Sequence, residues 1–252
     1  MLKNIKMENF MGKLSLNKER LDILHALEKS LNYHFHDISL LSIALTHRSY
    51  VNENPHYSFS DNERFEFLGD AVLSLCVSDM LIKKYGDFSE GTLSKIRASL
   101  VNEKPLARIA LDLNIGNCLL LGHGEENSGG RVKDSLLANA LEAVIASIYL
   151  DSNFNKVETI VNKLIEPFLK DSNITSQYFD YKTTLQEFCQ KKYKLTPIYT
   201  VIDSYGPEHA MIFKVKVTIA DKTAQIGQGK NKKEAEKQAA QKAWEVLQNE
   251  NE

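Results

Sequence analysis

Asn62-Glu63-Arg64-Phe65-Glu66-Phe67-Leu68-Gly69-Asp70-Ala71-Val72-Leu73 reads as an apolar helix with acid set into it. From Phe65 to Val77 the only charged residues are Glu66 and Asp70. They stand four apart, so they share one helical face, a turn from each other. Carboxylates this close repel, and burying either is costly unless something compensates. No Lys or Arg lies on that face, but a bound divalent cation would compensate. In a second stretch, SLLANALEAVIASIYL at 135–150, Glu142 is the only charge, and Asn139 precedes it by three on the same face. Two such helices facing each other would form an oxygen-rich site suited to hard cations such as Mg²⁺ or Mn²⁺.

Plainer readings stand beside this one. A lone acid in an apolar helix is most often an edge residue with its head in water. Ser60-Asp61-Asn62-Glu63 has the form of a capping box, with Glu63 at the third helical position. Asn139 could simply bond a neighbouring helix. Gly69 costs about 1 kcal/mol against Ala in a helix interior, so close approach of another helix or chain is the better reason for it.

Outward from these helices the pattern stays helical from about 17 to 168. Leu21, Leu24, Leu27 and Leu31 recur at helical spacing, Asp37 can cap the next helix, and Pro105 suits the first turn of another. Residues 122–134, GHGEENSGGRVKD, carry four glycines and read as a loop. We expect helices over 61–84, 92–104, 135–150 and 155–168, and no strand in this region. Residues 1–16 read as an extension and 169–178 as a polar linker. Beyond it the period changes. A helix over 181–193 precedes a strand at 197–203. Phe213, Val215, Val217 and Ile219 then alternate with Lys214, Lys216 and Thr218. A turn at Asp221-Lys222 leads to a third strand at 223–228, and the last helix carries Ala235, Ala239, Ala240, Ala243, Trp244 and Leu247. The order α-β-β-β-α fills residues 179–249.

The 252 residues carry a formal net charge of −2, which alone suggests no polyanion partner. The distribution is uneven: residues 179–252 hold 12 Lys against 10 Asp and Glu, so the excess acid lies before them. Cys76, Cys118 and Cys189 are scattered, which argues against structural zinc and a disulfide framework and fits a reducing compartment. No run approaches the length of a membrane span, and MLKNIKMENFMGK has no apolar core of a secretory signal.

NERFEFLGDAVL closely resembles the signature of the ribonuclease III family, which usually has Leu where Phe65 stands. ALTHRSYVNE at 44–53, SEGTLSKIRASLVNE at 89–103 and SLLANALEAVIASIYLDS at 135–152 resemble further blocks of that family, in its order. The resemblance implies an all-α nuclease domain over 17–168 followed by an α+β double-stranded-RNA-binding domain. It implies hydrolysis of duplex RNA with Mg²⁺, for which Mn²⁺ can substitute, leaving 5′-phosphate and 3′-hydroxyl ends. By position, Glu66, Asp70, Asn139 and Glu142 would be the metal ligands. Asp70 and Glu142 would also be catalytic, with Glu63 and Glu90 as supporting acids. The family most often has Asp at position 139, and an Asn carbonyl brings no charge, so weaker metal affinity or a changed metal preference is expected. The resemblance also implies a homodimer with Phe67 as a contact, although Phe67 as monomer core is equally open from the sequence. It implies a cytoplasmic protein that processes rRNA, tRNA and mRNA precursors.

In the tail, Gln186 and Gln190 lie one helical turn apart, and amides can both donate to and accept from 2′-hydroxyls. His209 follows Gly206-Pro207 in the first turn of the sheet, where it could enter a minor groove. Lys230, Lys232 and Lys233 open the last helix, an electrostatically poor place for cations unless an anion joins them. Lysines there are otherwise simply solvated. A noncatalytic duplex-RNA-binding protein of the same fold is the alternative, though such a relative would be expected to lose several of the acids. A carboxylate-bridged metal oxidoreductase would want Glu-x-x-His pairs, absent from the two apolar helices.

Overall fold

The computed structural model describes residues 16–57, 59–86, 88–170, 181–207, 210–220 and 223–249. Of the expected linker at 169–178, residues 169 and 170 belong to a helix that runs to Lys170, and the rest lies outside the described residues, as do most of the N-terminal extension, His209 and the turn at 221–222. The chain divides into two compact units, one of residues 1–84 and 97–171, the other of residues 85–96 and 172–252.

The first unit is helical. Its helices are α1 (Lys18–Leu31), α2 (Ile38–Ala44), α3 (Arg48–Glu53) and α4 (Glu63–Lys84), then the end of α5 (Glu90–Leu100). After these come α6 (Glu103–Asp112), the short α7 (Ile115–Cys118) and α8 (His123–Asn127), and the long α9 (Asp134–Asp151) and α10 (Phe154–Lys170). Among the described residues the only β pairing in this unit is a single bridge, Thr46 to Leu120. The centre is α9. Leu137, Ala138, Ala140, Leu141 and every residue from Ala143 to Ile148 are buried on it, and α2, α4, α6 and α10 pack around it. A helix apolar on every side can only be stable in such a position.

The 122–134 stretch corrects the expectation of a plain loop. It contains α8 and a 3₁₀ turn at Gly130–Val132, with Gly129 in the left-handed region at φ 80°. The capping-box reading of Glu63 is corrected too. Glu66 N–H donates to the Asn62 carbonyl at 2.8 Å, so Asn62 is the cap and Glu63 the first helical residue. Its N–H is satisfied by Asp61 Oδ1 at 3.1 Å, and its carboxylate turns elsewhere. Asp37 does cap α2, accepting from Ser39 N–H at 3.0 Å.

Two well-buried acids in this unit hold the fold and nothing else. Glu28 accepts the Phe35 N–H at 2.6 Å and bonds His25 and His34. Asp151 accepts from Tyr33 Oη at 2.6 Å and from the His36 and Asp37 N–H groups, so it ties the start of α2 to the end of α9. Burial opposes the charge on both, but these donors outweigh it and hold both carboxyls below their ordinary range.

In the second unit α11 (Tyr181–Tyr193) precedes an antiparallel sheet of β1 (Ile198–Tyr205), β2 (Ile212–Ile219) and β3 (Thr223–Gly229), in the order β1-β2-β3, and α12 (Lys232–Asn249) closes it. β1 runs past the expected 203 because Tyr205 pairs with Ile212, after an irregularity between Val201 and Asp203. Val215, Val217 and Ile219 are buried, as their alternation requires. Ala235, Ala239, Ala240 and Ala243 are buried on α12, which lies directly on β3. Gly227 permits this: a Cβ there would come within 2.2 Å of the Ala235 and Ala239 backbone.

Candidate active site

Helices α4 and α9 meet where Gly69 touches the backbone of Glu142. A Cβ on Gly69 would lie 1.8 Å from the Glu142 carbonyl oxygen, so no other residue fits there without moving a helix. The contact brings the acids of the two helices to one place. Glu66 and Asp70 flank Gly69 on α4, and Asn139 shares a face with Glu142 on α9. Glu63, Glu66, Asp70, Asn139 and Glu142 all line one cleft of about 810 Å³. Glu90 does not line it. It opens α5, where its carboxylate accepts from Ser94 Oγ at 2.7 Å.

The electrostatics of this cleft are opposite to those of Glu28 and Asp151. Burial, then the charges of Asp70 and Glu66, push Glu142 up to about 7. Burial and the neighbouring Glu63 raise Glu66, with Asp70 adding to the effect and a hydrogen bond from Asn139 opposing it. Among the described residues no Lys, Arg or His lies within ion-pair distance of Glu66, Asp70 or Glu142. Glu66 and Glu142 are thus both raised, with no cation beside them to offset the burial and the neighbouring acids.

Three carboxylates and an amide oxygen are, in kind, the donors a hard divalent cation takes. Among the described residues no three His, Cys, Asp or Glu side chains are gathered tightly enough to hold an ion as they stand. To hold Mg²⁺, Glu66, Asp70, Asn139 and Glu142 would have to turn further toward one another. The donor chemistry fits such an ion.

The cleft also holds side chains to which the sequence reading assigns no role, among them His47, Arg48, Asn52, Glu125 and Lys133. Three of them belong to the ALTHRSYVNE block, and Glu125 and Lys133 lie in the glycine-rich stretch. Their only signal is a cluster of polar residues directly before an apolar helix. Phe67 is 82% exposed at the edge of the cleft, so it is not monomer core.

In the second unit Gln186 and Gln190 are exposed on α11, and Lys230, Lys232 and Lys233 are exposed around the start of α12. Asn231 Oδ1 accepts the Glu234 N–H at 2.9 Å, and Glu234 Oε2 accepts the Lys230 N–H at 3.0 Å. This reciprocal cap fixes the backbone that carries the lysines.

A ribonuclease-III-like family profile matches residues 37–168, and a double-stranded RNA binding motif profile matches residues 181–247. The chain belongs to the ribonuclease III family. Ribonuclease 3 of Syntrophobacter fumaroxidans is 46% identical over 230 residues, covering 90% of this chain and 95% of that protein. Ribonuclease 3 of Borreliella burgdorferi is 42% identical over 234 residues, covering 93% and 95%. A solved nuclease domain of ribonuclease III from Campylobacter jejuni superposes with a TM-score of 0.53 at 48% identity, covering 57% of this chain and 96% of that one. That structure is described for flexibility in a region involved in dimer formation. As a ribonuclease III, the chain is an endonuclease of double-stranded RNA with a helical nuclease portion and an α+β RNA-binding portion. The noncatalytic alternative is left without support. No helix among the described residues is long and apolar enough to cross a membrane.

Proposed function

We propose that the α4–α9 cleft is the catalytic centre, with Glu66, Asp70, Asn139 and Glu142 as ligands of Mg²⁺, or of Mn²⁺ in its place. The observation that carries this is the Gly69–Glu142 contact, which juxtaposes the acids of two apolar helices in one cleft where burial and neighbouring acids raise Glu66 and Glu142. A bound divalent cation lowers the pKa of a coordinated water and stabilises charge on the phosphate. The protein's own part is to orient. Packed helices fix the carboxylates, and Asn139, lining the same cleft, holds Glu66 closer to its ordinary range. Glu142, at the meeting of the two helices, would take the proton from an attacking water. Attack at phosphorus with departure of the 3′ oxygen leaves 5′-phosphate and 3′-hydroxyl ends. Asp70 and Glu142 are the catalytic acids, and Glu63 and Glu90 support them.

The same reading takes residues 17–168 as the nuclease domain and 179–249 as the RNA-binding domain, joined by 169–178 after an extension at 1–16. Gln186, Gln190, Lys230, Lys232 and Lys233, together with His209, contact the minor grooves and intervening phosphates of A-form RNA. Phe67, a large apolar side chain left in water, is a contact of a two-fold homodimer, which would give one cut on each strand. The protein is cytoplasmic and processes rRNA, tRNA and mRNA precursors.

Cleavage of a long RNA duplex with Mg²⁺ tests the catalytic reading. Glu142→Ala is expected to lower the rate by about 10³-fold or more while duplex binding persists, as for loss of a group that acts mainly in the transition state. Asn139→Asp is expected to lower the Mg²⁺ concentration needed for half-maximal rate. Unchanged cleavage by Glu142→Ala would sink the assignment.

A further inference from the structure

Arg48 opens α3, and its Nη1 donates to Glu63 Oε1 at 3.2 Å. The two side chains are 66% and 55% exposed, so the pair adds little to stability in water. Its position matters more. Both residues line the acid cleft, and Glu63 lies near enough to Glu66 to raise its proton affinity. Burial lowers the proton affinity of the neighbouring His47 and so disfavours a positive charge there. The cations lining the cleft are then Arg48 and Lys133, and Lys133 is engaged by Glu125 at 3.4 Å. Five carboxylates line the same space. An RNA strand entering it meets a surplus of like charge, and a metal among the acids leaves the phosphates on either side of the cut unaddressed. A guanidinium has five N–H donors in a planar fork. One contact to Glu63 leaves others free to grip a phosphate.

We propose that Arg48 binds a non-bridging oxygen of a backbone phosphate of the RNA strand seated in the cleft, and that Glu63 is its positioning residue. The proposal rests on the cleft being the catalytic centre. Glu63 thereby acquires a specific role. Its N–H is already capped by Asp61 and its carboxylate is turned to Arg48, so it serves the site through the guanidinium.

The test uses the full chain as Arg48→Ala, Arg48→Lys, Glu63→Gln and the double variant Arg48→Ala/Glu63→Gln. Steady-state cleavage of an RNA duplex with Mg²⁺ is measured beside binding of the same duplex in EDTA across a salt series. Arg48→Ala should raise KM by about tenfold and reduce the slope of log affinity against log salt by about 1, as for loss of one phosphate contact. Arg48→Lys should restore the slope but only part of the affinity, because an ammonium cannot form the fork. Glu63→Gln should cost less than Arg48→Ala, and the double variant no more than Arg48→Ala alone. Thermal midpoints should not move. A wild-type KM and salt slope in Arg48→Ala would overturn the proposal. So would a double variant whose loss is the product of the two single losses, since Glu63 would then act independently. Glu142→Gln separates the two readings. If it cuts normally, the catalytic assignment of the cleft fails; if it is inactive while Arg48→Ala behaves as wild type, only the role of Arg48 falls.

Discussion

Glu66 and Glu142 sit half-buried where α4 and α9 meet, whereas Gln186, Gln190, Lys232 and Lys233 stand in water on helices α11 and α12. In the cleft, two acids are held where solvation is poor and like charges are close, and the fold is built round that cost. On the proposed RNA-binding side of the tail no charge among the described residues is buried. Its side chains are exposed, and the cap of Asn231 and Glu234 fixes only the backbone beneath them. On the proposed reading, function that depends on charge density is thus set in a cleft between packed helices of one unit, and function that depends on shape and on contact with a polyanion is laid on the surface of the other.

The largest effect expected from breaking this contrast is at Gly69. Ala is the better helix former by about 1 kcal/mol, so on propensity alone Gly69→Ala should stabilise α4. The Cβ, however, would lie 1.8 Å from the Glu142 carbonyl oxygen, and backbone cannot yield as a flexible side chain can. Forcing the helices apart should outweigh the gain, with a net loss of at least about 3 kcal/mol in urea unfolding. A neutral or stabilised Gly69→Ala would mean that the helices can separate at little cost, and the acid juxtaposition would lose its cause.

A smaller effect should appear with pH. Glu142 is raised from 4.5 to about 7, so the folded state holds this proton more tightly than the unfolded one. Without metal, its contribution therefore favours folding below about 4.5, is lost as pH rises from there through about 7, and is fully lost above. A shift of that size corresponds to about 3 kcal/mol at most, and solvent at the mouth of the cleft reduces it to about 1–2 kcal/mol. Glu142→Gln should flatten that part of the stability profile. Mg²⁺ should raise the thermal midpoint at pH 7.5 and release protons on binding near pH 7. A profile falling from pH 5 to pH 7 that Glu142→Gln leaves unaltered would mean that the Glu142 carboxyl is not its source.

The contrast also governs what can be read from the sequence. Glu66, Asp70 and Glu142 are visible because charge inside an apolar helix is an anomaly, and Gly69 because glycine there is a cost that needs a reason. The alternation in β2 and the alanine face of α12 reveal the order of the tail. The position of Glu63 in its helix is hidden because Asn62, Asp61 and Ser60 are all competent caps, and only the Thr46 and Ala44 carbonyls, distant in sequence, hold Asn62 in that role. Helix α8 is masked by four glycines. Arg48, His47 and Lys133 have no anomaly to mark them: polar residues before a helix are ordinary, and only the folded cleft sets them beside the acids. The lysines of α12 are legible through the resemblance and through their unfavourable position at a helix start.

Those lysines give the smallest expected effect and the sharpest test of the surface half of the contrast. Lys232→Ala and Lys233→Ala remove exposed cations from the first turn of α12, where the helix dipole disfavours them. Each substitution should leave stability unchanged or raise it by up to about 0.5 kcal/mol. Each should weaken duplex binding a few-fold at low salt and reduce the salt slope by about 1. Improved folding with poorer binding is the signature of residues kept for a ligand at the expense of their own helix. Binding with an unchanged salt slope in both variants would instead mean that these lysines are merely solvated, and the RNA would have to be held elsewhere on the second unit.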